Sequence, residues 1–216
     1  MVGQPVPVPR SGRAFQCQRM KKILLLLLFS VPACSQTTET HHYAIEMAGI
    51  RIGTMTAVRE QHADNRSTYT LVSDVKVKLL VYTITIYYRA ISHFIGEKLM
   101  LSTVDARTNR GNYASRTEWK GDQYVISANQ YKYDRQAAER ANIDFSVLSL
   151  YFYEPTDRNR AYAEYFGDYF SLDKTAPGTY HARLADREDE YIYEKGRLVR
   201  IVKHNKVKNF IVRLLD

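Results

Sequence analysis

Cys34, at the end of Val31-Pro32-Ala33-Cys34, is the residue best placed for a covalent reaction. The stretch matches the lipobox pattern, in which a bacterial cysteine is diacylated and becomes the new N-terminus, although Pro32 departs from the usual residues. Each acyl CH₂ buried in a bilayer is worth about 0.8 kcal/mol, so lipidation at Cys34 would hold the chain on a membrane. Ala33-Cys34-Ser35 before Gln36 also fits the small-x-small pattern of ordinary signal peptidase, which would release a free protein.

The segment upstream explains why either cleavage is expected. Lys21 and Lys22 precede the apolar run Ile23–Phe29, which is far shorter than the roughly 20 residues that span a bilayer. Residues 20–34 therefore read as a signal peptide, with the protein exported to the periplasm or held as a membrane-anchored lipoprotein of a Gram-negative envelope. Residues 1–19, with Pro5, Pro7 and Pro9 and no periodicity, read as a non-native upstream extension or a disordered segment. Residues 35–41 read as a polar tether, and 42–216 as a single β-rich domain.

Export changes the meaning of the charge. The whole chain carries +8, but Arg10, Arg13, Arg19, Lys21 and Lys22 all precede Cys34 and no acid does. Removing those five from 31 basic residues leaves 26 against 23 acidic ones, a net +3. A nucleic-acid partner loses its main support. The other cysteine, Cys17, lies before the leader, so the body has no thiol for a disulfide or a nucleophile.

Metal, cofactor and hydrolase signatures are absent from the body: there is no Gly-x-Ser-x-Gly, no His-Glu-x-x-His and no Gly-rich phosphate loop. His41 and His42 are adjacent, so on a strand they point to opposite faces, and they read as a solvated pair. Ala185-Asp186-Arg187-Glu188-Asp189-Glu190 reads as a charged hairpin loop rather than an acid–base site. The basic C-terminal run from Lys195 to Arg213 reads as a solvated face.

The unusual chemical feature is aromatic. Tyr82, Tyr87 and Tyr88, then Tyr151, Phe152 and Tyr153, then Tyr162 to Phe170 cluster along the chain. Tyrosine joins a large apolar face to a polar tip, so it suits a cavity for an amphiphile or a partner surface, as well as an ordinary strand between core and rim.

These side chains must be carried by strands. His42–Met47 and Ile50–Val58 flank the turn Ala48-Gly49, a hairpin signal. Leu71, Ser73, Val75, Val77 and Leu79 alternate with mainly polar residues, and Tyr82, Ile84, Ile86 and Tyr88 face away from Thr83 and Thr85. Further strands are expected at Lys98–Val104, Asn112–Trp119, Gln123–Ala128, Ala161–Leu172, Gly178–Leu184, Glu190–Glu194, Arg197–His204 and Lys208–Leu214. One short helix is expected between Asn142 and Pro155, with Phe145, Leu148 and Phe152 as its inward stripe. The expected fold is mainly β: a single antiparallel, strongly curved sheet or partial, open barrel with that helix packed on it, or alternatively a two-sheet β-sandwich.

The segments Ala48-Gly49-Ile50-Arg51-Ile52-Gly53, Leu150-Tyr151-Phe152-Tyr153-Glu154-Pro155 and Gly178-Thr179-Tyr180 through Lys195-Gly196 resemble an uncharacterised exported bacterial β-rich family, a 6134-like domain of unknown function. The resemblance implies an envelope-located β domain and carries no catalytic residue.

The leading expectation is a non-enzymatic envelope protein that binds an apolar or amphipathic ligand in an aromatic-lined concavity built from Tyr82, Tyr88, Phe145, Leu148 and Phe152, without metal or cofactor. A structural or interaction lipoprotein contacting another envelope protein is the second reading, and an enzyme with an unrecognised site the third.

Overall fold

The computed structural model describes residues 1–4, 36–79, 82–204 and 209–215, so Cys34 and the leader lie outside the described residues. The body forms one 14-stranded sheet in which every neighbouring pair is antiparallel, and it is not a two-sheet sandwich. The strands are β1 (Thr37–Met47), β2 (Ile50–Gln61), β3 (Arg66–Leu79), β4 (Tyr82–Ile95), β5 (Lys98–Thr108), β6 (Gly111–Trp119), β7 (Tyr124–Gln130), β8 (Tyr133–Glu139), β9 (Arg160–Ala163), β10 (Asp168–Ala176), β11 (Thr179–Leu184), β12 (Arg187–Glu194), β13 (Arg197–Lys203) and β14 (Phe210–Leu214). Their order, β8 back to β1 and then β14 back to β9, is two meanders joined where the last strand pairs with the first. The edges are β8 and β9.

Local chemistry sets this pattern. At Ala48-Gly49 and at Lys195-Gly196 both residues have positive φ, as a two-residue hairpin turn matched to strand twist requires. Leu71, Ser73, Val75 and Val77 are buried on β3 while the residues between them are not, which confirms the period of two. β1 begins at Thr37, inside the stretch expected to be a tether. Thr37 to His41 pair with Gln61 to Ala57, and threonine-rich backbone suits an extended strand.

The expected helix is reduced to a single 3₁₀ turn, Ser149–Tyr151. Ahead of it the chain is extended: Tyr162 N–H donates to Phe145 O at 2.9 Å, and Val147 N–H to Tyr162 O at 2.8 Å. These bonds satisfy the free edge of β9. Ile143, Phe145, Ser146, Leu148, Ser149, Leu150 and Tyr151 are all buried, so no polar face exists to define a helical period. The spacing of Phe145, Leu148 and Phe152 reflects burial on all sides. The segment is a plug through the interior, held by Tyr193 Oη donating to Leu150 O (2.7 Å) and by His41 Nδ1 at 3.1 Å from Tyr151 O.

The two ends of the sheet meet without a shared ladder. The β9–β10 turn reaches β6–β8, where Ser115 Oγ donates to Tyr165 O (2.7 Å), Tyr133 Oη to Phe166 O (3.0 Å) and Arg135 Nε to Gly167 O (3.1 Å). Gly167 has φ +64°, and a Cβ there would lie 2.5 Å from Ile126 Cγ2. Only glycine allows this approach. The sheet thus curls round on itself and stays open as a ladder.

Candidate functional site

Cross-strand rows explain a hollow inside the curl. One inward row runs Tyr43, Met55, Ser73, Tyr88 across β1–β4, and the next runs Ile45, Gly53, Val75, Ile86. Ser73, which lines the hollow, puts little volume between the large side chains of Met55 and Tyr88 on the neighbouring strands. The result is a cavity of about 320 Å³.

One wall of the cavity is Met55, Val75, Ile86 and Tyr88, and the facing wall is the β9–β10 turn with Glu164, Tyr165, Phe166 and Phe170. Tyr88 and Tyr165 rings stand 6.1 Å apart, and Tyr165 meets Phe166 edge-on at 4.7 Å. Asp189 of β12 and Lys203 of β13 are cross-strand partners that also line it, with Lys203 Nζ 2.6 Å from Asp189. The Lys203 side chain is 38% exposed and that of Asp189 13%, so this pair stands at the outer part of the cavity. Behind Phe166, the Arg187 guanidinium lies 4.4 Å from the ring centre.

Glu164 is the chemical centre of the cavity. It is 2% exposed, accepts from Ser92 Oγ at 3.1 Å and from Leu148 N–H at 3.3 Å, and has no ion-pair partner among the described residues. Burial pushes its pKa above the usual carboxylate value, against the opposing pull of hydroxyl and amide donors. Burial also pushes the Tyr88 hydroxyl up, aided by the nearby Glu164 charge and by Tyr165.

Of the five residues proposed from sequence, the four whose side chains are described do not share one cavity. Tyr88 lines the cavity. The Tyr82 side chain lies outside the described residues. Phe145 lines a different, polar cleft with Tyr69, Asp144 and Arg158. Leu148 is packed in the core at 2% exposure and reaches Glu164 only through its backbone N–H. Phe152 stacks on His41 at 5.2 Å and meets Tyr69 at 5.7 Å. Strand register and the plug separate these positions because Phe145 to Phe152 is not a helix with one face.

Other sequence readings are resolved as well. His41 and His42 do lie on opposite faces, but His41 is buried, against the expectation of a solvated pair, because its ring stacks on Phe152 and its Nε2 meets Glu39 at 3.0 Å. The 185–190 segment is a charged hairpin: His181 contacts Glu188 at 2.7 Å and Glu190 at 3.1 Å. No cluster of His, Cys, Asp and Glu able to hold a metal occurs among the described residues. Half of the described tyrosines build core, and Tyr43, Tyr124, Tyr162, Tyr180 and Tyr191 are almost fully buried.

Sequence reasoning missed Glu164 and Asp189; Tyr165, Phe166 and Phe170 stood out as part of an aromatic cluster and Lys203 as part of the basic run, but none was assigned to the site. A signal existed, because Glu164 is the single charge in Ala161-Tyr162-Ala163-Glu164-Tyr165-Phe166.

Comparison with known structures supports the architecture. The crystal structure of a beta-barrel-like protein of domain of unknown function DUF1849 from Brucella abortus superposes with a TM-score of 0.53 at 8% identity, covering 85% of this chain and 98% of that one. At that identity the likeness shows the fold alone. No curated protein sequence matches the chain significantly. Residues 43–215 match the family described as Domain of unknown function (DUF6134), and the chain belongs to that family.

Proposed function

We propose that this is an exported envelope protein whose curled sheet holds an apolar or amphipathic ligand in the cavity between β1–β4 and the β9–β10 turn. The observation that carries the reading is the cavity itself: about 320 Å³, walled by Met55, Val75, Ile86, Tyr88, Phe166 and Phe170, with one buried carboxyl. This lies at the small end of the roughly 300–1,000 Å³ range of ligand pockets, mostly apolar with few polar groups. A single chain of modest length fits it better than a lipid with two.

Export rests on the leader over residues 20–34. Cleavage before Cys34 with diacylation would add a membrane anchor, and cleavage before Gln36 would leave a periplasmic protein. Mass spectrometry of the N-terminus, for the wild type and Cys34→Ser in a Gram-negative host, separates the two. A chain that retains residues 20–34 would overturn export.

The ligand reading is tested with N-phenyl-1-naphthylamine, a neutral apolar fluorophore. Saturable one-to-one binding is expected, lost in Met55→Trp with the β-sheet circular dichroism retained. Absence of saturable binding to the wild type would sink the reading. The interaction-protein alternative has less support: the exposed tyrosines Tyr87, Tyr131 and Tyr153 sit on separate elements.

A further inference from the structure

Resting on that reading of the cavity, we propose that its ligand is a single-chain alkylammonium, bound with its cationic head against the Glu164 carboxyl and its chain along Met55, Val75 and Ile86.

The first support is an imbalance of charge. Three ionisable side chains of ordinary acidic or basic type line the cavity: Glu164, Asp189 and Lys203. Lys203 is already engaged by Asp189 at 2.6 Å. Glu164 lies inside, nearly inaccessible, with hydroxyl and amide donors but no cation beside it among the described residues. Buried charges in proteins are normally paired or neutralised, since desolvation of a lone carboxylate is costly. A carboxyl that borders a cavity and lacks a cation is a place where a ligand can supply one.

The second support is the surface around it. Tyr88 and Tyr165 line the same cavity as Glu164, with ring centroids 6.1 Å apart, whereas Phe166 already carries the Arg187 guanidinium 4.4 Å from its ring centre. Aromatic faces attract ammonium groups, more strongly once water is excluded. An anionic head would find the lysine occupied and two acids nearby. A neutral head would gain a hydrogen bond but would leave Glu164 without a countercharge. Burial raises the Glu164 pKa, and a cation brought against the carboxyl would offset that desolvation.

The test uses the full chain and three decyl compounds that differ only in the head: decylammonium, 1-decanol and decanoate, each displacing N-phenyl-1-naphthylamine at about pH 7, where the amine and the acid are both charged. Decylammonium should bind at least roughly tenfold more tightly than the other two. Glu164→Gln should lower its affinity to that of 1-decanol measured on the same variant, while Asp189→Asn keeps the preference. If Glu164→Gln does not fold, Glu164→Leu removes the carboxyl at similar volume. Equal or tighter binding of 1-decanol or decanoate, with the fluorophore still bound, overturns the ammonium proposal and leaves the ligand cavity standing. A preference that survives Glu164→Gln and vanishes in Asp189→Asn also overturns it. A wild type that binds no fluorophore defeats the cavity reading and this proposal together.

Discussion

The β9–β10 turn presents one side to β6–β8 and the other to β1–β4, and the two contacts differ although both are made of aromatic and small residues. Against β6–β8 the groups interlock: Tyr162 Oη and Thr117 Oγ1 are 2.6 Å apart, Tyr133 meets Phe166 edge-on at 5.5 Å, and Gly167 presses on Ile126. Against β1–β4 the rings of Tyr165 and Phe166 face a row thinned by Ser73, and a cavity remains. Composition alone therefore does not decide between packed core and cavity. What decides is the residue that sits opposite each aromatic across the curl.

The closed contact should be the more sensitive to added volume. Gly167→Val puts a β-branched residue at φ +64° and a Cβ where Ile126 already stands. Backbone strain and overpacking each cost about 1–3 kcal/mol, so a loss of several kcal/mol is expected by denaturant unfolding. A loss below about 1 kcal/mol would show that the sheet ends do not meet as described.

Removing volume sharpens the contrast. Leu148→Ala, in the packed plug, should cost about 2–5 kcal/mol, whereas Ile86→Ala, which already borders open space, should cost under about 2 kcal/mol. Equal losses in the two variants would mean that the cavity is filled in solution.

Glu164 gives the comparison a pH axis. Burial raises its pKa above the ordinary 4.5, so the folded chain holds this proton more tightly than the unfolded chain. Its contribution is fully present below about pH 4.5 and is lost as pH rises through the folded pKa. Glu164→Gln should accordingly be more stable than the wild type above that folded pKa, by about 1.4 kcal/mol per unit of pKa shift at most, and the gap should close as pH falls. Thermal unfolding across pH reads this; a gap that widens toward acid would give the opposite sign. The smallest effect is expected at Thr85, exposed on the outer face of β4, where Thr85→Asp should stay within about 0.5 kcal/mol.

Much of this fold was legible in the sequence. Alternation at Leu71, Ser73, Val75 and Val77 and the turns at Ala48-Gly49 and Lys195-Gly196 are local signals, and the strands follow them. The plug was misread because a segment buried on every side shows apolar spacings of three and four without a helix. The β1 start at Thr37 was missed because its residues are polar although its backbone is paired. Of the candidate site, Tyr88 was assigned, while the aromatics of the β9–β10 turn stood out as a cluster but were not placed in it. Strand periodicity assigns a side chain to a face, but Glu164 meets Ser92 across a separation of 72 residues, which no local pattern encodes.

Methyl NMR of the full chain during titration with decylammonium tests the central claim most directly, because it locates the bound chain. The methyl signals of Met55, Val75, Ile86 and Val212, which line the cavity, should shift saturably together, while those of Leu99 and Ile143, buried away from it, stay in place. Shifts confined to surface methyls, or shifts centred on the Phe145 cleft, would contradict the account.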